Sequence, residues 1–267
     1  MIKLLKDIAS FVPRIIRHRK WLNTEALRLN QFKDLHRGED CFIIGNGPSL
    51  NKMDLNLLNN YYTIGLNKIF LLFKKTKLKI DYHVCVNRFV IEQSTSDFLS
   101  LHCPSFISYK HRNKQLTNNE RIFFVGDMHS KWGFFEDITK GICQGNTVTY
   151  VAMQLAFFLG FERVFLIGVD HSFVQKGSPH KIQTLKGEDI NHFDPDYFKG
   201  LKWQLPDLEG SELAYKLAKK HFEDNGRSVF DATVDGKLNV FKKLQFDEAL
   251  VIAQKKKDPK YNDIIGK

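Results

Sequence analysis

The sequence predicts an α/β fold built on a mainly parallel sheet, and three observations carry that reading. Short, continuously apolar runs recur at residues 41–44, 62–66, 81–86, 121–125 and 163–170. Runs with little polar alternation suit strands buried on both faces, as sheets covered by helices require. Between them the periodicity turns helical, most clearly over residues 147–159, where Val148, Val151, Ala152, Leu155, Ala156 and Leu159 recur and Gly160 supplies the stop. Four strand runs end in glycine or a small polar residue: Gly45, Asn67, Asn87 and Asp170. In such sheets ligands bind beyond the carboxyl ends of the strands. The expectation is a Rossmann-like domain over residues 38–245, covered by helices on both faces. A basic amphipathic segment (1–37) precedes it, a basic tail (246–267) follows it, and helices are added at the termini.

The first element is unusual. Residues 1–23, MIKLLKDIASFVPRIIRHRKWLN, place Ile2, Leu5, Ile8, Phe11 and Val12 at helical spacing among Lys3, Lys6, Arg14, Arg17, Arg19 and Lys20. Pro13 interrupts the pattern and Trp21 follows it. A basic amphipathic helix of this kind lies in the headgroups of an anionic membrane or packs on its own domain.

The next element is the most informative. The apolar run at 41–44 breaks into Gly45-Asn46-Gly47-Pro48-Ser49, a strand turning tightly into a helix. Two glycines allow close backbone approach to a ligand and positive φ. Pro48 suits the first helical turn, and Ser49 sets a hydroxyl beside N–H groups that favour a phosphate. The third glycine of G-x-G-x-x-G is absent and the loop is not of Walker type, so a plain strand-to-helix turn also fits.

Further along, residues 176–205, rich in Gly, Pro, Lys and Asp, have the composition of a lid. Residues 211–225 read as a helix capped by Ser211 and stopped by Asn225-Gly226, and residues 229–230 lead to a final strand. The lysine run at 255–260 reads as a solvated end.

Composition narrows the partners. The chain has 267 residues, 43% of them hydrophobic and 13% aromatic, enough for a real core. A net charge of +10 points to an anionic partner: a nucleotide, a phospholipid surface or an acidic glycan. Nucleic acid is set aside, because zinc-ligand spacing, an RNP-like aromatic strand and an arginine-rich helix are all missing. Cys41, Cys85, Cys103 and Cys143 are scattered and form no C-x-x-C, so neither a disulfide framework nor a zinc site is expected and a reducing cytoplasm is the default. No secretory signal pattern and no apolar run of membrane-spanning length are evident.

Transfer from a nucleotide-activated donor needs cations or N–H groups for the leaving phosphate and a base for the acceptor hydroxyl. Residues 45–49 suit the first need, and His192 or His171 the second. Either histidine could equally be structural, in a loop or at a strand end. Asp170, at a strand end after glycine, reads as a ligand contact in preference to a turn cap.

These residues resemble a known superfamily. Gly45-Asn46-Gly47-Pro48-Ser49-Leu50 resembles the opening motif of the bacterial lipooligosaccharide sialyltransferases. It is equally similar to the domain named after a hydroxymethylpterin diphosphokinase (MptE-like), which also occurs in flagellin-modifying glycosyltransferases. A second block follows the same order and spacing: Gly145-Asn146-Thr147, a helix, Leu159-Gly160-Phe161, then Phe165 to Asp170. The resemblance covers about residues 39–175. It implies that Asn46 and the following backbone contact nucleotide phosphates, that Asn67 and Asn87 line the donor pocket, that Thr147 faces the donor from a helix start, and that Asp170 closes the strand beside the nucleoside. It also implies a histidine base after the last core strand. His180 and His192 lie in that interval, and Asn191-His192-Phe193 is the nearest local likeness. The H-x-x-H spacing and the tyrosine pair of the sialyltransferases are missing, and Asp170 is followed by His171-Ser172-Phe173.

The function so implied is a glycosyltransferase of surface polysaccharide or glycoconjugate assembly. It would take a CMP-sialic-acid-like donor and a glycan or glycolipid acceptor, need no cofactor, and work in the cytoplasm, at the inner face of the membrane if the first segment binds there. The alternatives are a Mg²⁺-dependent diphosphokinase acting on a hydroxymethylpterin-like alcohol, with Asp127 and Asp170 as available carboxylates, and a non-catalytic nucleotide- or glycan-binding module.

Overall fold

The apolar runs become strands: β1 (Asp40–Ile44), β2 (Tyr62–Leu66), β3 (Tyr82–Cys85), β4 (Ser105–Ser108), β5 (Ile122–Val125) and β6 (Arg163–Ile167). Next come β7 (Ile182–Thr184) and β8 (Lys202–Gln204), which pair antiparallel with each other, and then β9 (Ser228–Asp231) and β10 (Lys242–Lys243). Eight of them form one sheet in the order β10-β9-β6-β1-β2-β3-β4-β5, with every neighbouring pair parallel. This is a computed structural model, and it describes residues 16–127, 132–174 and 177–256. Every residue of β1, β3, β4 and β5 is buried, so both faces of the central sheet are covered.

The helices are α1 (residues 16–22 of the described chain), α2 (Glu25–Leu29), α3 (Arg88–Gln93), α4 (Thr95–Leu99), α5 (Lys114–Thr117), α6 (Val148–Leu159), α7 (Leu208–Asp224) and α8 (Phe246–Ile252). Helix α6 starts on Thr147, whose hydroxyl accepts the Thr149 N–H, and ends on Gly160 at φ 96°. It is buried nearly all round because it lies between β1–β3 and α7.

The expected terminal segments are part of the domain where they are described. Trp21 is fully buried and its Nε1 donates to the Phe124 carbonyl of β5 at 2.8 Å, while Ala26, Leu29 and Phe32 join the core. No break therefore falls at residue 37. The membrane-binding expectation rests mainly on residues 1–15, which lie outside the described residues. At the other end, the tail expected from residue 246 begins instead as α8, with a capping box between Gln245 and Glu248 and with Phe246 and Ala249 buried. Residues 254–256 dock as well. The Gln254 N–H donates to Asp40, and Lys256 pairs with Asp81 at 2.7 Å.

One further correction is local. Helix α7 starts earlier than expected, because Asp207 and not Ser211 caps it by accepting the Gly210 N–H. Residues 177–205, the segment expected to act as a lid, carry β7 and β8, with Asn51 donating to the Phe193 carbonyl and Gln93 to that of Lys202. All four cysteines are buried and free, and burial pushes the Cys41, Cys85 and Cys103 thiols up. No helix among the described residues is long and apolar enough to cross a membrane.

Candidate active site

Strand order reverses between β1 and β6. The chain leaves β1 toward β2–β5 and returns on its other side. At such a switch point the loops after adjacent strands diverge and leave a crevice. Here the crevice is a cavity of about 770 Å³. Its walls include Asn46, Gly47, Asn67, Asn87, Thr147, Asp170, His171 and His192, residues far apart in sequence and gathered by the parallel topology.

The turn after β1 differs from its sequence-based expectation. It leads into a 3₁₀ turn, Pro48–Lys52, and Gly47 has φ −72°; neither Gly45 nor Gly47 takes positive φ. Their role is space. A Cβ on Gly45 would meet the Gly168 carbonyl, and one on Gly47 would meet the Asp170 carboxylate and the Gly168 carbonyl. The Gly45 and Gly47 N–H groups donate to the Ile167 and Gly168 carbonyls at 2.8 and 2.9 Å, which stitches the two strand ends together. Ser49 is buried, and both its N–H and its hydroxyl are spent on Asp170. Gly45, Pro48 and Ser49 thus support the turn from behind, whereas Asn46 and Gly47 face the cavity. Burial raises the Asp170 carboxyl above its ordinary value, with the Ser49 donors opposing the shift.

The asparagines sit at strand ends. Asn67, at φ 48°, follows β2; its carbonyl is bound by His83 Nε2 at 2.8 Å, and burial lowers His83 to about 4. Asn87 caps α3, its Oδ1 accepting the Phe89 and Val90 N–H groups, so only its amide nitrogen remains for a ligand. The side-chain oxygens of Asn46 and Asn67 are buried without hydrogen-bond partners among the described residues. Orphaned acceptors of this kind favour a bound donor group.

Both candidate histidines reach the cavity, each on a carboxylate. His192 Nδ1 bonds Asp189 Oδ2 at 2.8 Å, and Asp189 is itself buried. The imidazole stacks flat on Tyr197, 4.1 Å away at 6°, with the Phe198 and Phe173 rings edge-on. Nε2 carries no hydrogen bond among the described residues. His171, at φ 53°, bonds Glu212 Oε1 through Nε2 at 3.0 Å, leaving Nδ1 as its other nitrogen. His180 is half exposed and lies 3.6 Å from Asp207. Asp189 and Glu212 escaped the sequence reading; the Asp189-Ile190-Asn191-His192 spacing was the one available sign. Arg88 and Lys110 add cations to the wall.

Residues 18–176 match the family described as 6-hydroxymethylpterin diphosphokinase MptE-like. The chain belongs to that family. The solved structure of the MAf glycosyltransferase from Magnetospirillum magneticum AMB-1 superposes on this MptE-like chain with a TM-score of 0.54 at 14% identity. The match covers 90% of this chain and 39% of that one, so the chain spans about two fifths of that protein's length. At that identity the likeness is one of fold. No curated protein matches the chain.

Proposed function

We propose that this MptE-like chain is a glycosyltransferase. It binds a nucleotide-activated sugar in the switch-point cavity and passes the sugar to a hydroxyl of a glycan or glycolipid. The observation that carries the reading is His192, which lines the same cavity as the strand-end asparagines and is held through Nδ1 by the buried Asp189. The fold shared with a glycosyltransferase supports it.

In the reaction, the acceptor oxygen forms a bond to the anomeric carbon as the carbon–oxygen bond to the nucleotide phosphate breaks. The acceptor proton passes to His192 Nε2, and Asp189 fixes the imidazole with its proton on Nδ1. The phosphate leaves with added charge, which Arg88, Lys110 and the turn after β1 can face. A sialic-acid-like donor with CMP as leaving group is the finer form of the proposal.

Phosphoryl transfer is the second reading, because the family takes its description from a diphosphokinase. Among the described residues no cluster of three His, Cys, Asp or Glu is placed to hold a metal ion. Asp170 is engaged by Ser49, and Asp127 accepts from Gln144 Nε2 at 2.6 Å. These carboxylates do not form a Mg²⁺ cage.

Calorimetric titration with CMP, UDP and ATP, each with and without Mg²⁺, followed by a transfer assay with the matching activated sugar, tests the proposal. CMP or UDP binding without metal supports the glycosyltransferase. Binding of ATP alone, dependent on Mg²⁺, replaces it with the diphosphokinase. Absence of any nucleotide binding leaves a non-catalytic module and overturns both.

A further inference from the structure

Lys68 follows Asn67 at the end of β2 and is only 5% exposed, an uncommon place for an ammonium. Its Nζ donates to the Tyr197 carbonyl at 2.7 Å, and its backbone N–H donates to the Tyr197 hydroxyl at 3.2 Å. The ammonium also lies over the Tyr197 and Phe198 rings, 5.4 and 4.8 Å from their centroids. These are two of the three rings against His192, one flat against it and one edge-on. The same charge faces Asp189, the carboxylate partner of His192, as well as Asp97 of α4 and the Cys85 thiol of β3.

Burial lowers Lys68 to about 8 in spite of those carboxylates. The fold therefore carries a charge that costs it stability, where an apolar side chain of similar shape would pack at no such cost. Lys68 does not line the cavity, so its contacts are to the wall and not to a ligand there.

We propose that Lys68 is a positioning residue for the transfer step: its ammonium clamps residues 189–198 to the end of β2 and sets the His192 imidazole in one orientation. The proposal rests on His192 being the base. Asn67 lines the cavity and Lys68 is the next residue, so the clamp ties the segment that carries the base to a strand end that also lines the cavity.

The test follows the His192 Nδ1–H by NMR in protein labelled with ¹⁵N-histidine, the signal being assigned by its loss in His192→Gln. Lys68→Met should retain the wild-type melting temperature or exceed it. It should speed solvent exchange of that proton about tenfold or more, and lower kcat about tenfold at unchanged donor Kd. Lys68→Arg should recover most of both. Lys68→Gln, which keeps a donor without the charge, should show the same losses and serves if the methionine variant does not fold. Wild-type exchange protection in the Met or Gln variant overturns the proposal. Faster exchange in a protein that transfers no sugar upholds the clamp and overturns the transferase reading instead.

Discussion

Asp170 places both carboxylate oxygens on Ser49: Oδ1 accepts its backbone N–H at 3.1 Å and Oδ2 its hydroxyl at 2.7 Å. The turn after β1 thus already holds an anion, supplied by the loop after β6. On the cavity side the turn presents Asn46 and Gly47.

The Asp170–Ser49 contact sets a pH dependence. Burial raises Asp170 above its ordinary 3.8. Between 3.8 and the raised value, the folded state keeps a proton that the unfolded chain has lost. Stability therefore falls as pH rises through that window, and the cost stands in full at pH 7. Asp170→Asn should raise the melting temperature at pH 7 and lose that advantage on acidification toward pH 4. An advantage that does not change with pH would show that Asp170 titrates normally.

Gly47 both lines the cavity and packs against the loop after β6. A Cβ there collides with the Asp170 carboxylate and the Gly168 carbonyl. Gly47→Ala should cost about 3 kcal/mol by overpacking, read from the denaturant midpoint. A substitution at Gly47 therefore tests the junction of β1 and β6 before it tests any ligand.

The two histidines separate by kinetics. His192→Ala should lower kcat about 10²-fold and Asp189→Asn about tenfold, with donor Kd unchanged for both. His171→Ala should change kcat less than threefold, roughly the scatter expected of a residue outside proton transfer. If His171→Ala shows the larger loss, the base is on the α7 side, with Glu212 as its partner.

Trp21 decides how the first segment is dissected. Trp21→Ala should cost about 4 kcal/mol, because it empties a fully buried site and strands the Phe124 carbonyl. A truncation meant to test binding to anionic vesicles must therefore stop before residue 16. If the first segment binds anionic membranes, removing residues 1–15 should abolish salt-sensitive co-sedimentation; a loss of melting temperature instead would mark it as a packing element of the domain. Undiminished co-sedimentation would place the membrane contact elsewhere.

The legible parts of the fold were those in which local and global demands agree. β1, β6 and α6 are apolar where they are buried, and Thr147 and Gly160 mark their helix in the expected places. β4 passed unseen because it is Ser-Phe-Ile-Ser, with both serines fully buried on the sheet. The cap of α7 was misplaced because Gly210, a poor helix former, lies inside its first turn. In the site, strand-end residues could be listed because a parallel sheet brings all its carboxyl ends to one edge. Lys68, Asp189 and Glu212 could not, because their partners are fixed by how residues 177–205 and α7 fold back over that edge.

The buried cysteines make the protein its own reporter. Of the four, Cys143 lines the cavity, whereas Cys41 and Cys85 lie in the central sheet and Cys103 just before β4. A thiol reagent therefore meets two different barriers in one native chain. At Cys143 it enters from the cavity, so a ligand bound there should slow the labelling. At the other three it waits for the sheet to open, so their rate counts unfolding. Resolved by peptide, a single labelling time course would separate a variant that has lost its ligand from one that has lost its fold.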